Sequence, residues 1–212
     1  ISKKHPKATF VADVKSTGLF ENDPELLKNG VTADYWKTGH SHMKRRVKEI
    51  GALAGFEKSG HYFLAEPVGR GYDCGLRVAV EICKLMDENP GKSMADLHRA
   101  LPVTFSSPTM SPYCADEEKY HVLDRIVRKI QAHAADGKQL AGRSIKEIIT
   151  VNGARIILDN GSWGLVRASS NTPNLVVVCE SRESEAELKA VFAELDQIIR
   201  TEPSVGDYDQ TL

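Results

Sequence analysis

The sequence has no apolar run of membrane-spanning length; stretches such as Leu175 to Cys179 are no longer than one strand. It lacks paired cysteines as well. Cys74, Cys83, Cys114 and Cys179 stand far apart, at no spacing that suits a metal site or a redox pair, and read as free thiols of a reducing cytoplasm. Charge of one sign is missing too: 28 basic residues balance 29 acidic ones for a net charge of −1, so nothing argues for nucleic acid as a partner. There is no initiator methionine, targeting pattern, internal repeat or low-complexity tract. No Gly-x-Ser-x-Gly elbow or activated cysteine marks a catalytic triad. His40, His42 and His61 lack the accompanying ligand spacing of a zinc site, and Asp207 and Asp209 fall in a tail expected to be loose after Glu202. What remains is a globular chain of 212 residues, 41% hydrophobic and 27% charged, enough for one large domain or two modest ones.

Strands and helices alternate in the first half. Ala8 to Val14 reads as a strand, and a helix follows from Pro24, capped by Asp23 and stopped by Gly30. Ala33 to Trp36 is the next strand, after which Ser41 is placed to cap a basic helix ending at Ile50. Leu53 to Phe56 and Tyr62 to Ala65 are short strands around the loop Glu57 to Gly60. Asp73 to Met86 is a helix apolar on most faces, expected to be largely buried, and a short helix spans Met94 to Ala100. Such alternation implies an α/β domain, with a mixed, mostly parallel sheet and helices on both faces. Ligands of these sheets sit beyond the carboxyl ends of the strands, where Lys15, His40 and Glu57 all fall. Leu101-Pro102 and Ser106-Ser107-Pro108 then break the pattern and divide the chain into domains 1–102 and 103–212.

The second half follows another pattern. Asp116 reads as the cap of a helix with Tyr120, Leu123, Ile126, Val127 and Ile130 on one face. Strands at Glu147 to Val151 and Arg155 to Leu158 are joined by Asn152-Gly153, a strong hairpin signal. Gly164 to Ala168 and Leu175 to Glu180 follow. The last helix opens on a capping box, Ser184 with Glu187, and carries a stripe of Leu188, Val191, Phe192, Leu195, Ile198 and Ile199. The economical arrangement is an α+β domain, a four-stranded antiparallel sheet with two helices on one face.

Three loops carry candidate chemistry. In Val166 to Pro173 a strand hands Arg167 to Ser169, Ser170, Asn171 and Thr172, the cation and neutral donors a phosphate needs. The same residues are turn formers, and composition alone leaves both readings open. In Gly55 to His61, Glu57 can accept from neighbouring sugar hydroxyls beside Ser59, or stand as the solvated tip of a hairpin. In Trp36 to Ser41, Lys37 and His40 flank Gly39 in a strand-to-helix turn open to an anion or to simple capping. The run Lys44, Arg45, Arg46 and Lys48 reads as a solvated helix face.

Together these segments resemble the α-D-phosphohexomutase family, most closely its phosphomannomutase/phosphoglucomutase branch. Asp13 to Phe20 is similar to the family's strand-and-lysine segment, Trp36 to Ser41 to its next active-site turn, and Gly55 to His61 to its sugar-recognition loop. Gly71 to Gly75 resembles a segment that usually reads Asp-Asp-Gly, with Cys74 replacing the second acid, and Trp163 to Pro173 resembles the phosphate-binding loop. The Arg-x-Ser-Gly-Thr-Glu-Pro of phosphoglucosamine mutases is not present. The resemblance implies reversible phosphoryl transfer between C1 and C6 of mannose or glucose phosphates, through a phosphoserine enzyme and a hexose 1,6-bisphosphate intermediate. It implies that Glu57 and Ser59 hold sugar hydroxyls, while Arg167, Ser169, Ser170 and Asn171 hold the phosphate that is not reacting. Lys15, His40 and His61 would line the pocket, with His61 a candidate proton handler.

The family's phosphoserine loop and Asp-x-Asp-x-Asp magnesium loop are absent from these residues. The resemblance therefore covers most of a third domain and all of a fourth, with a first strand and most of a helix of domain three expected to be missing, leaving an exposed apolar edge. It implies a cytoplasmic enzyme whose Mg²⁺ ligands and N-terminal domains lie outside this chain. Its partners would be phosphosugars rather than nucleic acid or membrane, and the fragment alone would be inactive. A non-catalytic phosphosugar-binding module is the alternative.

Overall fold

In a computed structural model that describes residues 1–212, the chain forms two units, Ile1–Val103 and Thr104–Leu212, each on its own sheet. In the first, β1 (Thr9–Asp13), β2 (Thr32–Trp36) and β3 (Ala54–Phe56) are parallel, and β4 (Tyr62–Leu64) pairs antiparallel with β3, in the order β2-β1-β3-β4. Adjacent residues of β1 serve opposite layers. Phe10 joins Val31, Ala54 and Leu64 under Phe20 of α1 (Leu19–Asn22) and Leu26 of α2 (Pro24–Lys28). Val11 joins Phe63 and the buried Met43 and Val47 of α3 (His40–Glu49). Helices thus cover both faces.

Local signals explain some element ends and not others. Asp23 Oδ1 accepts the amides of Glu25 and Leu26 at 2.9 and 3.0 Å, with Pro24 at the first helical position of α2. In α3 the N-cap is Gly39, at φ 126°, and Ser41 lies inside the first turn instead of capping it. The expectation of burial fails for α4 (Gly75–Asp87). It has no buried residue; Val78 packs on the sheet core while Leu76, Val80, Ile82 and Leu85 are 40–83% exposed. A groove of about 330 Å³ is lined by Phe56, Leu64, Val78, Ile82 and Leu85. β1 and β3 are each paired on both sides, β2 and β4 are the sheet edges, and these exposed apolar side chains lie on α4. Periodicity reports which faces of a helix are apolar but not what covers them. A capping box at Ser93 and Asp96 starts α5 (Met94–Arg99).

The second sheet has five antiparallel strands, not four: β5 (Phe105–Ser106), β6 (Ile145–Ile149), β7 (Ala154–Leu158), β8 (Trp163–Ala168) and β9 (Leu175–Ser181), in the order β5-β9-β8-β7-β6. The added strand is two residues long and pairs with Glu180 and Ser181. So short a segment, followed by Pro108, has no periodicity to read. On one face α6 (Lys119–Ala135) brings Val122, Ile126 and Ile130, and α7 (Glu185–Ile199) brings Leu188, Val191, Leu195 and Ile199, against Ile156, Leu158, Val166, Leu175 and Val177. Each such side chain contributes about 1.5–3 kcal/mol against about 1 kcal/mol for a helix cap, so packing decides where α7 lies.

The caps differ in detail from expectation. Glu118, not Asp116, is the N-cap of α6, and Asp116 holds the buried Lys119 Nζ at 2.6 Å. Ser184 Oγ accepts the Glu187 amide at 3.1 Å, but the Glu187 carboxylate does not complete the box. It accepts from Ser162 Oγ at 2.8 Å, Asn160 Nδ2 at 2.7 Å, Arg143 Nε at 3.2 Å and Ser181 Oγ, tying one end of the sheet to α7. The segment after Glu202 is packed instead of loose. Val205 enters the core, Tyr208 donates to Asp196 Oδ1 at 2.7 Å, and its ring meets Phe192 edge-on at 5.6 Å. No helix is long and apolar enough to cross a membrane.

Candidate functional site

Asp13 ends β1 with its carboxylate fully buried and draws the neighbouring turns together. Its Oδ1 accepts from Ser16 Oγ at 2.6 Å and from the Lys58 amide at 3.4 Å. Its Oδ2 accepts from Thr38 Oγ1 at 3.2 Å and lies 3.7 Å from Lys15 Nζ. One carboxylate thereby gathers the segments that follow β1, β2 and β3, at the carboxyl ends of three parallel strands. Lys15, His40, Glu57, Ser59 and His61 all sit on this rim.

Glu57 is buried and its Oε1 accepts the Gly39 amide at 2.7 Å. The φ of 126° at Gly39, open to glycine, sets that amide's direction. Backbone bonds from Gly60 N to Glu57 O at 2.9 Å and from Glu57 N to His61 O at 3.0 Å close the loop, leaving Ser59 at its exposed tip. His40 rests against Phe63 with ring centroids 5.1 Å apart. His61 Nδ1 lies 2.6 Å from Asp73 Oδ2. That hydrogen bond and the carboxylate charge raise the His61 pKa above the usual 6.5, and the same bond lowers Asp73 below 3.8.

In the second unit, Arg167 lies on β8 with 6% of its surface exposed. Its Nε donates to Asn152 Oδ1 at 3.0 Å. The β6–β7 turn is built against it: at Gly153, φ +83°, an added Cβ would stand 2.1 Å from the Val166 carbonyl oxygen and 2.8 Å from the Arg167 Cα. Ser169 Oγ shapes its own loop, accepting from the amides of Asn171 and Thr172 at 3.3 Å and from Thr172 Oγ1 at 2.9 Å. Lys119 Nζ braces the loop by donating to the Thr172 carbonyl at 3.0 Å. Ser170 and Asn171 are left exposed at the tip. The loop is therefore held by its own hydrogen bonds and by Lys119.

Four contributors escaped the sequence reading: Asp13, Asp73, the Gly39 amide and Asn152. An acid at the carboxyl end of a parallel strand was a usable signal for Asp13. Asn152 was legible only as a turn former, because its partner lies 15 positions away. No group of three or more His, Cys, Asp or Glu side chains converges as a metal site requires, so the donors of this chain do not fit the Mg²⁺ that the resemblance implies.

Two linked domains with loops of this kind define a class. Residues 1–105 match the model of the phosphoglucomutase/phosphomannomutase alpha/beta/alpha domain III, and residues 114–198 match that of the C-terminal domain. The chain belongs to the phosphoglucomutase/phosphomannomutase family. A phosphomannomutase/phosphoglucomutase of Pseudomonas putida is 33% identical over 208 residues, 97% of this chain and 41% of that protein. A phosphoglucomutase of Neisseria meningitidis serogroup A is 30% identical over 208 residues, again 97% of this chain and 41% of the relative. The crystal structure of a phosphoglucomutase/phosphomannomutase family protein from Burkholderia thailandensis superposes with a TM-score of 0.78 at 24% identity, covering 98% of this chain and 40% of that one, and shares the fold. The chain thus spans about two fifths of the length of the relatives it matches.

Proposed function

We propose that this chain supplies sugar and phosphate recognition to a phosphohexomutase that interconverts the 1-phosphates and 6-phosphates of mannose, glucose or both. The observation that carries this reading is the preformed Glu57 loop. Its buried carboxylate keeps one oxygen on the Gly39 amide, and the other remains an acceptor for a sugar hydroxyl beside Ser59. Lys15, His40 and His61 on the same rim favour an anionic sugar. In the second unit, Arg167 with Ser169, Ser170 and Asn171 suits the phosphate that does not react, and Ser169 also shapes the loop that presents them.

In this reading the phosphoserine that exchanges phosphate with a hexose 1,6-bisphosphate, and the Mg²⁺ ligands, belong to parts of the enzyme outside these residues. Catalysis is then mostly positioning and charge stabilisation, as phosphoryl transfer requires. That none of the four cysteines forms a disulfide fits a reducing, cytoplasmic setting. The test is an assay of the protein carrying these residues for conversion of glucose 1-phosphate and mannose 1-phosphate to the 6-phosphates. Activity that Glu57→Ala and Arg167→Ala each abolish is the expected result, with the 212-residue chain binding the sugars but turning none over. Binding without turnover in every form would favour a non-catalytic phosphosugar-binding module.

A further inference from the structure

The contact between His61 and Asp73 plays no part in gripping sugar hydroxyls, yet it is well built. The His61 side chain is 53% exposed at the end of the Glu57 loop, with Nδ1 held 2.6 Å from Asp73 Oδ2. Asp73 is fixed from its own side: it forms an antiparallel bridge with the fully buried Phe63, and its Oδ1 accepts the Tyr62 amide at 3.4 Å. The next residue, Cys74, makes no side-chain bond, so Asp73 is the sole acid of the Tyr72–Gly75 turn. We propose that Asp73 is the positioning residue of His61: it keeps the neutral imidazole protonated on Nδ1, fixes the ring plane, and leaves Nε2 as the free atom presented to a phosphosugar at the Glu57–Ser59 loop.

A free histidine prefers its proton on Nε2; a carboxylate acceptor at Nδ1 reverses that preference and makes Nε2 the basic atom. The other charges bearing on the pair are Glu57, which favours the imidazolium, and His40, which acts on Asp73. The role of the ligand rests on the proposed phosphosugar function, whereas the state of the ring does not.

The test is a ¹⁵N imidazole titration of the chain, repeated with Asp73→Ala and Asp73→Asn and then with mannose 1-phosphate or glucose 1-phosphate added. In the unsubstituted chain His61 should titrate above 6.5 and be neutral as the Nδ1–H form. Asp73→Ala should bring its midpoint down toward 6.5 and restore the Nε2–H form, while Asp73→Asn, which retains an acceptor but no charge, should lower the midpoint and keep Nδ1–H. Unchanged amide resonances of β1 and β2 report that the fold is intact. A neutral Nε2–H His61 in the unsubstituted chain, or a midpoint indifferent to Asp73→Ala, overturns the proposal. Sugar phosphate should shift both the His61 Nε2 signal and the Glu57-loop amides. Loop shifts without a shift at Nε2 overturn the proposal while sparing the phosphosugar function; no shift in the loop overturns both, whatever the ring shows.

Discussion

The Gly39 amide donates to Glu57 Oε1 at 2.7 Å, so the turn that opens α3 and the loop that follows β3 are held as one unit. Hydrogen bonds to charged groups contribute about 1.5–3 kcal/mol. Part of that is offset by the desolvation of a buried carboxylate. Glu57→Ala should therefore destabilise the chain by about 1–2 kcal/mol, and Glu57→Gln, which still accepts from Gly39, by less than half as much. Urea unfolding of the three proteins measures this; equal midpoints would show that the tie is energetically idle.

Arg167 meets Asn152 through Nε, which orients the guanidinium plane. Lysine at this position keeps the charge but loses that anchor and the bidentate fork. Arg167→Lys should weaken mannose 1-phosphate binding about tenfold, equivalent to about 1.4 kcal/mol, and Asn152→Ala by a smaller factor. Calorimetric titration reads both. Affinity unchanged by Arg167→Ala would remove this residue from the phosphate site.

Gly153 has no room for a side chain. A Cβ would overlap the Val166 carbonyl at 2.1 Å, and the φ of +83° is strained for any L-residue. Gly153→Ala should cost about 2–4 kcal/mol, from left-handed backbone strain and overpacking together. Because the clash falls on the backbone of Val166 and Arg167, phosphosugar binding should weaken even where the protein remains folded. Thermal melting and the same titration check the two effects.

Cys74 occupies the N-cap of α4 in an extended conformation, φ −143° and ψ 96°, with no side-chain cap bond. Aspartate in that conformation can accept an amide of the first turn and meets the positive end of the helix dipole. Cys74→Asp should stabilise the chain by about 0.5–2 kcal/mol, toward the lower end because Asp73 is adjacent. Denaturant midpoints decide it, and a loss of stability would mean that the first turn is closed to a longer side chain.

Acid should unfold the second unit through Glu187 and Glu202. Burial pushes both carboxyls up, but Ser181, Ser162, Asn160 and Arg143 around Glu187, and Lys129 and Arg125 around Glu202, hold them below the usual 4.5. A carboxyl depressed in the folded state contributes stability that is present above its unfolded pKa and lost as pH falls through the folded one. Stability should therefore decline below 4.5, and the destabilisation by Glu187→Gln should shrink as the pH falls. Urea midpoints between about pH 6 and about pH 3 test this. A difference independent of pH would mean that the carboxylate charge of Glu187 contributes nothing.

Much of the fold was legible because its signals are local. Asp23-Pro24 marks the start of α2, Asn152-Gly153 a tight turn, and the Leu188-to-Ile199 stripe the buried face of α7. The failures share a cause. The apolar faces of α4, the two-residue β5 and the packed tail around Tyr208 depend on what lies opposite them, which the residues themselves do not encode locally. The same division runs through the candidate site. Arg167, Glu57 and His61 stood out by residue type and neighbours; Asn152 and Asp73, which hold Arg167 and His61, and Asp13, which gathers the turns around Glu57 on the rim, did not.

By itself the sequence determined the class of each domain and the residue types its loops offer to a ligand, since both follow from periodicity and side-chain chemistry along a few consecutive positions. Tertiary structure alone decided which of those groups remain available. One oxygen of Glu57 is taken by Gly39, and one nitrogen of His61 by Asp73. A hydrogen bond between residues 12 to 18 positions apart needs the sheet to bring them together, and it is that pairing which leaves the remaining lone pairs and protons pointing outward.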